Sequence, residues 1–289
     1  AVPGDPAAII LGAEGSGGVT PEALERVRQQ LGLDKPIWVQ YSNYLLGLIQ
    51  GDLGTSFRST TTPVLYYIGA RLPNTLELVF TAAAIAVVIG IPLGAIAARR
   101  GGWLDTTIST LTTLGISMPV YVVGTFFVMI FALRFGWLPA GGHTDFGSDP
   151  IQHFRKLLLP AVALSFGITS VVARMTRSTV LETIAQDWVR TAKSQGLRRN
   201  QVFSRHVLRN SMTPVVTTLG LEIGSLLGST VLVERVFTWP GMGSLLVDSV
   251  NARDYPVVQG IVIVIAALFI VINIIVDVLY GVLDPRARH

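Results

Sequence analysis

Four stretches of this chain carry no charged side chain over lengths that suit a lipid bilayer. They are residues 78–98, 106–133, 157–173 and 255–276, of 21, 28, 17 and 22 residues. About 20 apolar residues in a helix span the hydrocarbon core. A fifth run, residues 212–233, is interrupted only by Glu222. A soluble helical core does not need several such runs in succession, because one face of each helix meets water. The composition agrees: 14% of the 289 residues are charged, against about 25% in a soluble domain. The expected fold is an all-α polytopic membrane protein with five transmembrane helices in this chain.

Basic residues set the orientation, because Lys and Arg concentrate on the cytoplasmic side. Twelve of the 22 lie in residues 99–105, 174–211 and 284–289, about 50 positions. The other ten are spread over about 120 positions in residues 1–74, 134–156 and 234–254. The first set is therefore read as cytoplasmic and the second as external. The net charge of +4 is small. The distribution of charge matters more than its sum.

This topology places residues 1–74 outside as a helical head. The head needs export, yet no charged and apolar leader precedes it, and the chain begins with Ala. The expectation is that an upstream membrane helix is missing. The intact protein would then have six spans and both ends in the cytoplasm. A cleaved signal peptide is the alternative. Residues 75–281 form the transmembrane part, with a cytoplasmic loop at 178–211, and residues 282–289 form a tail.

Within the head, Thr20-Pro21-Glu22 reads as a helix start: a hydroxyl cap, Pro at the first position and an acid in the first turn. Gly32 reads as its stop. Ile37, Trp38, Tyr41, Tyr44, Leu45, Leu48 and Ile49 recur at helical spacing and make one apolar face. That face either covers a membrane or partner surface or packs the head's own core. Gly51-Asp52-Leu53-Gly54 reads as a turn.

In the spans, Gly220, Gly224 and Gly228 recur every fourth residue, and Gly90 and Gly94 repeat the spacing. Glycines so placed let helices approach closely in lipid, for packing or for a sliding, gating interface. Pro92, Pro119 and Pro160 are candidate kinks. Glu222 lies mid-span, within a residue or two of the glycine stripe. An ionisable group there is a candidate to line a path through the membrane, or a hydrogen-bonded link between helices.

The loop at 178–211 is the most informative segment. Leu181, Ile184, Ala185, Trp188, Val189 and Ala192 mark one face of a helix, which Gly196 stops and Leu197 follows. A basic helical stretch from about Asn200 to Asn210 comes next. Helix, glycine turn and helix would suit DNA in a soluble protein. Here both ends are tied to membrane spans, which excludes a nucleic-acid partner. An apolar stripe on a loop helix instead needs a protein surface.

The stretch Asp187-Trp-Val-Arg-Thr-Ala-Lys-Ser-Gln-Gly-Leu197 resembles the EAA loop of ABC importer permeases, in the variant of the dipeptide/oligopeptide permease family. Arg190-Thr191-Ala192 stands where that motif opens Glu-Ala-Ala, and the spacing of three residues to Gly196 is kept. Arg209 occupies the place of the general motif's later Pro, as in the peptide branch, and Pro214 lies further on. Pro3-Gly4-Asp5-Pro6, residues 51–54, Phe237-Thr-Trp-Pro-Gly-Met-Gly243, Arg253-Asp254-Tyr255-Pro256 and Leu283-Asp284-Pro285-Arg286 resemble other parts of this family.

The resemblance implies a type I ABC importer permease-like fold and a binding-protein-dependent transport system inner-membrane component. It implies partners: a second homologous permease subunit, two ABC ATPase subunits, an extracytoplasmic substrate-binding (lipo)protein and membrane lipid. The loop would be a coupling helix docked in a groove on the ATPase. Arg190, Thr191, Ala192, Lys193, Gly196, Leu197 and Arg198 would carry the contact, with Gly196 setting the lever's angle. The location implied is the bacterial cytoplasmic membrane. The cargo implied is a di- or oligopeptide, with nickel, glutathione, haem and opines as cargoes of relatives.

The sequence lacks the chemistry for driving transport itself. None of Lys35, Lys156 and Lys193 stands in a GxxxxGK[ST] loop. ATP and Mg are therefore assigned to the partner subunits, and no cofactor is expected on this chain. His143, His153, His206 and His289 form no HExxH and are read as lying outside the spans. Gly115-Ile-Ser117 is half of a nucleophile elbow. With no Cys, thiolate chemistry is excluded. A secondary transporter, the reading from another class, predicts internal repeats and several paired charges within spans. The sequence has one mid-span charge and no repeat.

Overall fold

A computed structural model of the chain describes residues 7, 11, 20–30, 33–59 and 61–283. Pro3–Pro6, Gly32 and the tail from Asp284 lie outside the described residues. Among those described there is no strand. The helices are α1 (Pro21–Gln30), α2 (Ile37–Ile49), α3 (Val64–Arg100), α4 (Gly102–Ser117), α5 (Val120–Phe127), α6 (Pro150–Ile184), α7 (Asp187–Ser194), α8 (Arg199–Gln201), α9 (Leu208–Asn210), α10 (Met212–Val236), α11 (Met242–Asn251) and α12 (Tyr255–Leu283). Two π-helical segments, Val128–Arg134 and Val202–Val207, extend α5 and join α8 to α9. Four helices are long and apolar enough to cross a bilayer: α3, α6, α10 and α12. The α4–α5 pair supplies a fifth span when taken as one.

That pair corrects one expectation. Residues 106–133 read as a single continuous span, but the chain turns by 104° between α4 and α5. Met118 is extended (ψ 125°) and Pro119 has φ −60° and ψ 134°. A proline's ring disfavours helical geometry in the residue before it, and Pro119 offers no N–H to the turn it follows. Pro92 and Pro160, by contrast, sit within unbroken α3 and α6.

The chain divides into two compact units. One comprises residues 1–73 with 245–264; the other comprises 74–244 with 265–289. In the first, Thr20 Oγ1 accepts from Ala23 N at 3.4 Å, capping α1 as expected. The carboxylate of Asp254 accepts from Ser56 Oγ and from Phe57 N. Leu53, Val64, Ile68, Val257 and Ile261 are buried. A side chain at Gly260 would come within 2.6 Å of Val64, so glycine permits that contact. On α2, Ile37, Trp38, Tyr41, Leu45 and Ile49 are exposed, so this face does not pack a core in the described structure.

In the second unit, α3 and α6 are in near-backbone contact. A Cβ on Gly90 would lie 2.9 Å from the Thr169 carbonyl, and one on Gly94 2.3 Å from that of Ala173. Their core joins Leu78, Val79, Ala82 and Ala86 of α3 to Leu157, Leu164, Ile168 and Val172 of α6 and to Leu226 and Leu227 of α10. Each buried Leu or Val here is close-packed, and in lipid such contact rather than water exclusion holds helices together.

Candidate functional site

Within the loop at 178–211, the stretch expected as one helix from Leu181 to Ala192 is divided between two. Helix α6 ends at Ile184, and Gln186 is extended (φ −66°, ψ 145°) before α7 begins at Asp187. Leu181, Ile184 and Ala185 thus do not share a helix with Trp188, Val189 and Ala192. The expected stop is present. Gly196 has φ +83°, its N–H bonds the Lys193 carbonyl, and Leu197 N–H bonds the Ala192 carbonyl. These two bonds form a Schellman end, which a glycine in left-handed geometry makes cheap.

The apolar stripe of α7 is divided between inside and outside. Val189 is buried with Val180, Val202 and Val207, and Ala192 and Ile184 pack on that cluster. Trp188 and Leu197 remain exposed. Arg190, Thr191, Lys193 and Arg198 are also exposed. Arg190 reaches only Asp187, at 3.8 Å, and both side chains are in solvent. Such a pair contributes little, so the guanidinium is free to be taken by a partner. The stretch Arg199–Asn210 is helical with a π segment, and it is tied down: Arg99 donates to Asn200 and lies over the Phe203 ring at 5.0 Å. The loop therefore presents a braced, basic, partly apolar surface.

The glycine stripe of α10 separates likewise. Cβ atoms on Gly220 and Gly224 would meet Val276 at 2.1 Å and Phe269 at 2.9 Å, both on α12. Gly228 has nothing within 4 Å and is exposed, so its expected packing role is not seen. Nor does Glu222 share the glycine face. Two residues along a helix is about 200° of rotation, and Glu222 points away from Gly220 and Gly224. With Ser225 and Ser229 it lines a cavity of about 330 Å³ at the α4–α5 elbow, walled by residues including Met118, Phe166 and Leu226.

A second buried carboxylate was missed by the sequence reading. Glu234, at the end of α10, is 0% exposed. It accepts from Thr75 Oγ1 and from Ser244 N, each at 2.8 Å. Thr75 Oγ1 in turn accepts from Met242 N at 2.7 Å. Trp239 Nε1 donates to the Asn74 carbonyl, and Asn74 Nδ2 to that of Pro240. Gly241 and Gly243 fold around the carboxylate so closely that Cβ atoms would lie 2.1 and 3.0 Å from its oxygens. The density of Gly and Pro after Trp239 was the available signal. An acid at a span end reads instead as an interfacial group.

The same end of this unit holds a histidine pair. His153 falls within the first turn of α6, inside a span-length helix and not outside it as expected. Its Nδ1 lies 2.7 Å from the Thr144 carbonyl and its Nε2 2.6 Å from Glu77 Oε1. Both partners offer acceptor oxygens, so the ring satisfies both when each of its nitrogens carries a proton. His143 packs edge-on against Trp239 at 4.9 Å, and burial lowers its pKa.

No group of His, Cys, Asp or Glu among the described residues is arranged to hold a metal ion.

Residues 90–289 match the family of binding-protein-dependent transport system inner membrane components, and residues 1–79 match the N-terminal region of such membrane components. A Brucella abortus protein named for a peptide transport system permease is 42% identical over all 289 residues, covering 90% of its own length. Glutathione transport system permease proteins GsiC of Shigella flexneri and Salmonella typhi are 42% and 43% identical over the same shares. Among solved structures, an inward-facing MetNI methionine ABC transporter aligns over 76% of this chain and 97% of its own, with TM-score 0.64 and 18% identity. That likeness shows a common fold. The chain belongs to the binding-protein-dependent transport system inner-membrane component family.

Proposed function

We propose that this family member is one half of a heterodimeric channel that imports peptides across the bacterial cytoplasmic membrane. A second permease subunit completes the channel. Two separate ATPase subunits bind ATP and Mg and hydrolyse the nucleotide, and an external binding protein delivers the cargo. This chain supplies no catalytic group. Its 178–211 loop and tail face the cytoplasm, and its head faces outward, following the distribution of basic residues.

The observation that carries the reading is the α7 surface. A rigid helix, stopped by Gly196 and backed by Val189, exposes Arg190, Lys193 and Arg198 beside Trp188 and Leu197. Such a surface suits a groove on a protein that moves, and it transmits the motion because it is braced against helices continuous with the spans. The ATPase pair closes on ATP and opens after hydrolysis, and α7 conveys each step to α6 and α10. The path runs past the elbow cavity, where Glu222 meets the passing cargo.

The resemblance to permeases named for glutathione favours that tripeptide as a second cargo. The test is transport by the complete complex in proteoliposomes. Gly196→Val forces a β-branched residue into left-handed geometry, and Arg190→Glu reverses the contact charge. Each is expected to cut peptide uptake at least tenfold while ATP hydrolysis continues. Normal uptake by both variants would refute the coupling role.

A further inference from the structure

The cavity at the elbow has a specific chemical character. Among its described lining residues Glu222 is the sole ionisable one, and most of the rest are apolar. No described group donates a hydrogen bond or forms an ion pair with its carboxylate. The two hydroxyls beside it are already committed as donors. Ser225 Oγ donates to the Glu222 carbonyl at 2.8 Å, and Ser229 Oγ to the Leu226 carbonyl at 3.2 Å. What these three side chains offer to the cavity is acceptor lone pairs. They lie at i, i+3 and i+7, on one face of α10.

A carboxylate in apolar surroundings without a counter-charge is costly. An arrangement of acceptors with no free donor fits a group that only donates. An ammonium has three N–H donors, no acceptor and the required charge. The walls, including Met118, Phe166 and Leu226, suit an apolar body attached to it. The volume of about 330 Å³ is at the low end for ligand pockets, about 300–1,000 Å³. It admits one side chain with its amino group, not a folded peptide.

We propose that this cavity is a permease-level recognition site for a primary ammonium group carried on an apolar residue, held by Glu222, Ser225 and Ser229. The site would favour peptides that enter with a free α-amino group and an apolar first residue. It rests on the reading of the chain as a peptide importer subunit, and it deepens that reading by adding a selectivity step within the membrane. The passing ammonium neutralises Glu222, and alternating access releases it inward.

The test has two arms. In the first, the purified complete complex is titrated calorimetrically with phenethylammonium and with phenylpropionate. The amine should bind and the acid should not. Glu222→Gln should weaken amine binding at least tenfold, Glu222→Asp less, and Ser225→Ala with Ser229→Ala together a few-fold. In the second, proteoliposomes are offered Phe-Ala and N-acetyl-Phe-Ala with one binding protein. Glu222→Gln should slow the free peptide at least tenfold and leave the acetylated one at its wild-type rate. If peptides are imported but the variant treats both like wild type, or loses both equally, the recognition site is refuted and the importer reading stands. If the amine binds through Glu222 but no peptide is imported, the importer reading fails and the ammonium site stands. Absence of amine binding refutes the site.

Discussion

At the residue scale, the glycines of this chain do different work despite a common spacing. Gly94 and Gly90 let α3 touch the backbone of α6, while Gly228, four residues from Gly224, touches nothing. Alanine at position 94 would put its Cβ 2.3 Å from a carbonyl oxygen, and overpacking of that kind costs about 1–3 kcal/mol. Gly94→Ala is therefore expected to lower the thermal midpoint of the detergent-solubilised protein, and Gly228→Ala to leave it within error. Sequence spacing alone could not separate them, because it records which positions share a face and not what lies opposite. Glu222 shows the same limit. Its position in a span was legible, but its direction followed from the α4–α5 elbow, which places a cavity against one side of α10 and α12 against the other.

At the scale of elements, ends proved less legible than lengths. The long apolar runs of α3, α6 and α12 were visible as charge-free stretches, that of α10 as a run broken only by Glu222, and the Gly196 stop as a glycine after a periodic run. The break at Gln186 was not visible, and Pro119 was visible as a candidate kink but not as a 104° elbow, because a proline within an apolar run is compatible both with a continuous helix, as at Pro92 and Pro160, and with a turn. The loop from Phe237 to Ser244 is the clearest omission. Its structure depends on the carboxylate of Glu234, just before the Phe237–Gly243 stretch, and on Thr75 from another helix, and the sequence does not show that these meet. Glu234→Ala would leave a buried hydroxyl and a buried N–H without their acceptor, at about 1–3 kcal/mol for each unmatched group. Glu234→Gln keeps one acceptor but turns an amide N–H toward the other donor. The expected order of thermal midpoints is wild type, then Gln, then Ala, and an unchanged Ala variant would show that the loop is held by Trp239 and Asn74 instead.

At the scale of the molecule, the distribution of basic residues predicts which loops face the cytoplasm, and the absence of Cys makes the prediction simple to check. A single Cys at Lys193 should be labelled by an impermeant maleimide only from the cytoplasmic side, and one at Phe146 only from the outside; the reverse pattern would invert the topology. The apolar runs, the basic loops and the α7 sequence together carried fold class and family. They did not carry the interior geometry, which arises from contacts between distant segments. One consequence of the elbow extends beyond this chain. Because Pro119 has no N–H, the Gly115 carbonyl loses its regular helical partner, and in hydrocarbon every such group must be matched by protein or water. Water at such a notch, partway through an electrical insulator, would be a leak for ions. The resting transporter would then need its seal somewhere other than the elbow, and the tightness of that seal, measured as conductance across the membrane, is as much a property of this fold as the passage of its cargo.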